Sequence, residues 1–360
     1  MIKILWLSPN FNHYKARFLN HLAAKDEIDL CLITGSGREV KGDLEIEENW
    51  NFKLIKTDIS KNKFGIASKV RKLIFKEFSK QDWVLIPAEK KNLILLYFLI
   101  SLRFFSKKTK LVSYNHPFLK SGVGKITKID LFITKLFYRK LDRVIFYTKE
   151  ACEIAINSKL IQLNKAFWAN NTVDDIEISK YYEFSLPPKN SISILYIGRL
   201  IPSKRIGDLI DYFKVLDKKK PGLFELNIIG DGPDASIIQD LKMSNIYCHG
   251  SIIDEKEIAP IMKNASCIFV PGLSGLSINH AFAYGRPYIT FQSNFHGPEI
   301  AYLDKNKNGL VLEKGKEENI EMLLDLLLNS DKIDSFCINA YEKGKQLSVK
   351  NWVEQMCQNF

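Results

Sequence analysis

The sequence has no GxGxxG or Walker loop, no GxSxG elbow, no HExxH pair and no DxD-like acidic cluster. Those absences remove the usual signatures of a P-loop nucleotidase, an α/β-hydrolase and a zinc peptidase, and they leave metal-independent chemistry as the expectation. The six cysteines, at 31, 152, 248, 267, 337 and 357, never form a CxxC pair. Cys31, Cys267 and Cys337 sit inside apolar runs, so buried free thiols in a reducing cytosol are expected, with no metal or disulfide role. Long hydrophobic runs are missing too. The longest, Leu93 to Leu102, falls well short of the roughly 20 residues that a spanning helix needs, and reads as a core or interfacial helix. The opening MIKILWLSP carries one lysine and an apolar run too short for a signal peptide, so it reads as a first buried strand and implies no export.

At 360 residues, with no low-complexity tract and no internal repeat, the chain is longer than a single core usually holds, and two domains are expected. Apolar runs alternate between strand and helix periods, which indicates an α/β architecture. In the amino-terminal half, strands are predicted at 2–7, 28–34, 52–55, 83–86, 111–114 and 143–147, with a first helix over 14–24. After the polar stretch Pro187-Pro188-Lys189-Asn190, strands are predicted at 192–197, 225–229, 246–248, 267–270 and 288–291. Helices are expected there at 206–217, 235–243, 258–263, 278–284 and 320–329. The pattern is that of two consecutive Rossmann-like domains, 1–172 and 173–340, with residues 341–360 packing back on the first.

Charge is divided unequally. Residues 1–170 hold 31 Lys and Arg against 16 Asp and Glu, a net +15, and the remainder is −4. An anionic partner, if there is one, meets the first half. Two helices predicted there combine an apolar stripe with lysines: 64–80, with Ile66, Val70, Leu73, Ile74 and Phe78, and 125–141, with Ile129, Phe132, Ile133, Leu136 and Phe137. They fit sheet-covering helices with solvated lysines, and equally a membrane surface. No nucleic-acid-binding module is recognisable, and no nucleic-acid partner is expected.

Four segments of the second half carry chemistry: YIGRLIPSKR (196–205), IIGDGP (228–233), PGLSGLSINHAFAYGRP (271–287) and HGPEIAYLDKNKNGLV (296–311). In order and spacing they resemble the carboxy-terminal domain of family-4 retaining glycosyltransferases, over about 120 residues. The resemblance implies a GT-B fold, two Rossmann-like domains facing a central cleft. It also implies a nucleotide-sugar donor, a UDP- or GDP-sugar, as substrate rather than any cofactor.

By that resemblance Arg199 and Lys204, following Gly198, hold the donor diphosphate, where fixed cations stabilise the charge of a departing nucleotide. The family's glycine after the lysine is Arg205 here, a departure that alters loop shape or adds a third cation. Gly230-Asp231-Gly232-Pro233 is either a tight turn beside the nucleotide or a plain strand-to-helix turn. The donor motif of the family has two glutamates eight positions apart, and aligning AFAYGRP puts Gly272 and His280 there. Between them, the backbone N–H groups of Gly275 and Leu276 face a diphosphate at a helix start. His280 fits a ribose hydroxyl contact or a satisfied core histidine. Glu299 fits the donor loop, the sugar, or a helix-first-turn acid, with His296 a weaker candidate beside it.

In the first half, Asn115 and His116 end a strand, where the family often has a histidine facing the donor sugar; a strand-end turn is the other reading. Asn12, His13 and Lys15 follow the first strand and are candidate acceptor contacts. The PG-x-x-GL form with histidine resembles a subset associated with bacterial surface polysaccharides, lipopolysaccharide or capsule. The resulting expectation is a hexosyl-transferring, retaining enzyme acting on a glycan or lipid-linked saccharide, cytoplasmic or peripheral on the inner membrane face. A non-catalytic glycosyltransferase-like binding or partner subunit is the alternative.

Overall fold

The structure, a computed structural model, describes residues 1–11, 13–36, 49–119, 126–239, 241 and 243–360. They form two units, Met1–Asn171 with Val349–Phe360, and Thr172–Ser348. Strands of the first are β1 (Ile2–Ser8), β2 (Ile28–Thr34), β3 (Lys53–Lys56), β4 (Trp83–Leu85), β5 (Lys110–Asn115), β6 (Arg143–Phe146) and β7 (Ala166–Trp168). They pair in parallel in the order β3-β2-β1-β4-β5-β6-β7. Helices of the same unit are α1 (His13–Ala23), α2 (Ser68–Phe78), α3 (Leu93–Leu102), α4 (Lys128–Arg139) and α5 (Lys149–Asn157).

Alternate strand residues assign these helices to faces. Leu5, Leu7, Val84 and Leu111 share a core with the inward residues of α2, α3, α4 and α5. Ile4, Trp6, Leu30 and Val112 pack on the other face against α1 and a last helix, Val349–Gln358. That last helix buries Val349, Trp352, Val353 and Met356; the Trp352 ring lies 4.7 Å from Phe18, and its Nε1 donates to the Tyr114 hydroxyl at 3.1 Å.

The second unit contains α6 (Asp175–Ser179), β8 (Ile192–Ile197), α7 (Ile206–Lys219), β9 (Phe224–Ile229), α8 (Ser236–Gln239) and β10 (Ile246–Gly250). It continues with α9 (Glu255–Asn264), β11 (Ala265–Phe269), α10 (Ser277–Ala283), β12 (Tyr288–Phe291), β13 (Gly309–Leu312), α11 (Lys316–Leu327) and α12 (Ser330–Gln346). The helix Val349–Gln358 is then α13. Its sheet is parallel in the order β10-β9-β8-β11-β12-β13. The chain moves outward one way from β8 to β10 and the other way from β11 to β13, so the switch point lies between β8 and β11. In open α/β sheets the loops that diverge there leave a crevice for ligands.

Several expected elements differ in detail. β7 and β13 lie outside the predicted strands, and α9 starts three residues before the expected 258, capped by the Asp254 side chain accepting from Lys256 N–H. Α12 runs to Gln346 inside the second unit, and the piece that joins the first unit begins at Val349. The largest departure is α4. Ile129 and Phe132, placed on its apolar stripe by periodicity, are 68% and 69% exposed, while Asp130, Thr134, Phe137 and Tyr138 are buried. Polar partners turn the helix: Asp130 closes a capping box with Thr127 and pairs with Lys90, and Thr134 Oγ1 accepts from Leu119 N–H at 3.0 Å.

One buried cation holds the second unit together. Arg286 has no solvent exposure, and its guanidinium donates to the carbonyls of Met262 (2.9 Å), Lys263 (2.9 Å) and Ser185 (2.9 Å), joining the α9–β11 turn to the segment before β8. Its removal strands these buried acceptors, each worth about 1–3 kcal/mol. Arg286→Ala should therefore lower the unfolding free energy by about 3 kcal/mol or more, read by urea denaturation; a change under about 1 kcal/mol would show that water replaces the guanidinium.

Candidate functional site

At the carboxyl ends of β8, β9 and β11, three loops meet with almost no side chain between them. The register pairs Ile197 with Ile229, which brings Gly198 beside Gly230. A Cβ at Gly230 would lie 1.9 Å from the Gly198 carbonyl oxygen, and one at Gly232 would lie 2.2 Å from that of Leu200. Gly232 N–H donates to Asp231 Oδ1 at 2.7 Å, and the Asp231 carbonyl accepts from Leu200 N–H at 2.9 Å. The IIGDGP turn is thus a template against which the 198–200 backbone is cast. Tyr196, buried under it, donates its hydroxyl to the Arg199 carbonyl at 2.8 Å.

The loop after β11 is pinned on both sides. Gly272 N–H donates to the Lys204 carbonyl at 3.1 Å and Leu273 N–H to that of Ser203 at 2.8 Å. From the other side, Ser274 N–H donates to His296 Nδ1 at 3.0 Å, and the Ser274 carbonyl accepts from Gly297 N–H at 2.7 Å. Beneath the loop, the Tyr288 hydroxyl meets Ser277 Oγ (2.7 Å) and Ser274 Oγ (3.1 Å), and Ser274 Oγ meets Thr290 Oγ1 (3.1 Å). Burial holds the Tyr288 phenol up at about 12, so it serves as a neutral hydroxyl.

His296 accepts a proton-bearing N–H at Nδ1, so its Nε2 carries hydrogen and donates to the Phe291 carbonyl at 2.8 Å. Burial lowers its pKa, and Lys204 nearby acts in the same direction. This neutral imidazole is a strut between two loops.

Arg199 and Lys204 emerge from this framework half-buried, and neither forms an ion pair among the described residues. Lys204 Nζ donates to the Leu273 carbonyl at 2.5 Å. Burial first, then the Arg199 charge, push its ammonium down to about 8, against a smaller upward pull from Glu299. Glu299 is buried, and its carboxylate lies where a Cβ on Gly297 would be 2.4 Å away and one on Gly275 3.6 Å away. Two cations close enough to oppose each other's charge leave a local excess of positive charge at the switch point.

Arg205 takes no part in it as a third cation. It occupies the left-handed conformation, φ 57°, where a glycine carries no penalty, and its side chain bonds Asp208 at 2.5 Å and lies 4.9 Å over the Phe291 ring.

The two substituted motif positions have different explanations. At Gly272 an added Cβ would meet Ser203 O at 2.2 Å and Lys204 Cα at 2.5 Å, so this backbone has no room for any side chain. His280 lies on α10 with Nε2 3.1 Å from Glu255 Oε1, and the Tyr284 hydroxyl donates to Glu255 Oε2 at 2.6 Å. A carboxylate therefore stands beside the second position after all, supplied by the first residue of α9. Sequence reasoning missed Glu255 because it placed the start of that helix at 258; the Asp-Glu pair at 254–255, a helix-cap signature, was the available signal. Leu276 is the N-cap residue of α10, which has seven residues.

The remaining candidates belong to the first unit. His116 is exposed after β5 with its ring 5.0 Å from that of Tyr147, and its carbonyl accepts from Asn115 Nδ2 (2.5 Å) and the Tyr138 hydroxyl (2.8 Å). Lys15 Nζ donates to Ser8 Oγ at 3.0 Å. Asn12 lies outside the described residues, and His13 is the first residue of α1.

Two Rossmann-like units with parallel sheets and this switch-point site define the fold as GT-B, and the similarity to solved structures agrees. The chain is similar to sucrose-phosphate synthase from Thermosynechococcus elongatus (TM-score 0.73, 16% identity, 100% of this chain and 98% of that one). It is similar to Anabaena HepE solved in complex with UDP (0.69, 15%, 99% of each) and to the lipopolysaccharide outer core galactosyltransferase WaaB (0.68, 15%, 100% of each). Residues 191–329, inside the second unit, match the family Glycosyl transferases group 1. An uncharacterized glycosyltransferase of Methanocaldococcus jannaschii is 25% identical over 261 residues, 67% of this chain and 64% of that relative's length.

The packing at Gly272 makes restoration of the family's glutamate harmful. Gly272→Glu should displace the 203–204 backbone at a cost of about 1–3 kcal/mol, lowering the melting temperature and any nucleotide affinity together. Tighter nucleotide binding by this variant would show that the loop has room for the side chain.

Proposed function

We propose that the protein is a retaining glycosyltransferase that moves a hexosyl group from a nucleotide diphosphate sugar to a glycan or lipid-linked saccharide. The observation that carries this reading is the pairing of Arg199 and Lys204 at the sheet's switch point, where burial and the Arg199 charge bring the lysine's ammonium down to about 8. A diphosphate supplies the opposing charge, and negative charge grows on it as the donor's anomeric C–O bond breaks. Fixed cations then stabilise the transition state more than the ground state.

The other candidate residues are assigned around that contact. The backbone N–H groups of Gly275 and Leu276 face the diphosphate, and His280, oriented by Glu255, meets the nucleoside end. Glu299 orders the donor loop beneath Gly275. In front-face displacement the acceptor oxygen bonds to the anomeric carbon on the side that the diphosphate leaves, and the acceptor proton passes to a diphosphate oxygen. No protein nucleophile and no metal ion are required in this scheme. HepE's complex with UDP and WaaB's action on lipopolysaccharide outer core make a uridine donor and a surface-polysaccharide acceptor the first to test.

Thermal unfolding of the protein with UDP, GDP, CDP or ADP tests the site. A ligand at about 100 times its Kd adds about 2.7 kcal/mol to stability, and Arg199→Ala should abolish this for the one nucleotide that binds. Undiminished binding by Arg199→Ala would overturn the diphosphate assignment; binding without transfer to any acceptor would favour a non-catalytic binding subunit.

Lys204 adds a pH signature. In the free protein its ammonium deprotonates near 8, whereas a bound diphosphate favours the charged form, so binding takes up a proton above that pH. Affinity should be flat below it and fall by up to about tenfold per unit above it, and Lys204→Arg should flatten the decline. A pH-independent affinity from 7 to 10 would place the ligand away from Lys204.

A further inference from the structure

The outer layer of the first unit is built unlike an ordinary sheet-covering layer. Α3 buries Leu95, Leu96, Leu99 and Leu102, but its opposite side presents Ile94 and Tyr97 and no charge. The turn after it exposes Phe104 and Phe105 at 84% and 79%. On α4, Ile129 and Phe132 point outward because the capping box turns the helix. Α2 contributes exposed Phe75, whose ring stands 6.3 Å from that of Phe105. All three helices lie on the same face of the sheet, and Lys90, just before α3, pairs with Asp130 of α4. The exposed apolar groups are therefore one surface rather than scattered residues, and a monomer in water has no use for it.

The charges around that surface are mostly positive. Α2 carries four basic residues and one acidic, residues 103–110 carry four and none, and α4 carries three and one, the one being the buried Asp130. Lys107 and Lys108 are exposed next to the two phenylalanines, and Lys72, Lys76 and Lys135 project from the neighbouring helices.

We infer that this face docks on an anionic phospholipid bilayer, with Phe104 and Phe105 entering the headgroup boundary and the lysines engaging lipid phosphates. A second copy of the chain fits poorly, because an isologous contact would set these lysines against their own copies. Aromatic side chains among lysines match the interfacial zone, where apolar contact and attraction to anionic headgroups add. Among the described residues no helix is long and apolar enough to cross a membrane, so the contact is lateral and reversible. The inference is independent of which sugar is moved, and it would bring the protein to a lipid-linked acceptor.

Co-sedimentation of the full chain with vesicles of phosphatidylcholine, alone or mixed with phosphatidylglycerol, tests it. Binding is expected to the anionic vesicles, weakened by added salt, and reduced about tenfold or more by the F104S/F105S double variant. K107E/K108E should weaken it as well, without touching the apolar pins. Both variants should keep the parent melting temperature and nucleotide affinity, which separates a failure here from a failure of the donor site. Absence of vesicle binding, equal binding to neutral vesicles, or full binding by both variants would overturn the inference; self-association of the free protein in sedimentation velocity, lost in the double variant, would transfer the face to a second copy.

Discussion

Close approach of backbone to backbone at the end of the second sheet is the constraint on which the rest of the site depends. Gly230, Gly232 and Gly272 each stand where a Cβ would overlap a neighbouring main chain. Because nothing larger than hydrogen fits there, the loops after β8, β9 and β11 register on one another directly. The Arg199 and Lys204 side chains inherit that register, since main-chain hydrogen bonds position the residues that bear them. A site assembled in this way is held stiff by main-chain contacts, backed by the hydroxyls of Tyr288, Ser274 and Thr290 beneath it.

The same constraint explains why the chain departs from the family pattern. A glutamate at 272 is excluded by Ser203 and Lys204, so whatever it does in the family is left to other groups here. At 280 a carboxylate stands beside the imidazole rather than in its place: Glu255 of α9 bonds His280 and accepts from the Tyr284 hydroxyl, whose ring lies 5.4 Å from the imidazole. At 205 the backbone demands a left-handed residue, and arginine meets that demand with its side chain tied to Asp208 and stacked on Phe291.

The first unit shows a comparable division between core and surface. Its sheet is covered on one side by α1 and α13 and on the other by α2 to α5, and both cores are closed. The exposed apolar residues outside are thus surplus to folding. The basic excess of the first half collects around them on α2 and on the turn after α3, rather than lining a strand end.

Much of the architecture was legible in the sequence, because buried parallel strands read as short apolar runs and sheet-covering helices as amphipathic ones; β8, α7 and β12 begin where the pattern places them. The cations at 199 and 204 were marked by the resemblance to the family's first motif, and Arg199 by its place just after an apolar strand as well. Short edge strands such as β7 carry too little pattern to be seen. The facing of α4 was not legible, because Asp130 and Thr134 find partners that periodicity cannot know, and these bring polar residues inward at the expense of Ile129 and Phe132. Nor was Glu255, whose meeting with His280 joins residues 25 positions apart. The sequence alone determined the two-domain α/β plan and the order of its loops, since those follow from local apolar periods. Only the tertiary structure decided which loops touch and which side chains they carry together, because those contacts depend on sheet order and on the absence of a Cβ at a few glycines.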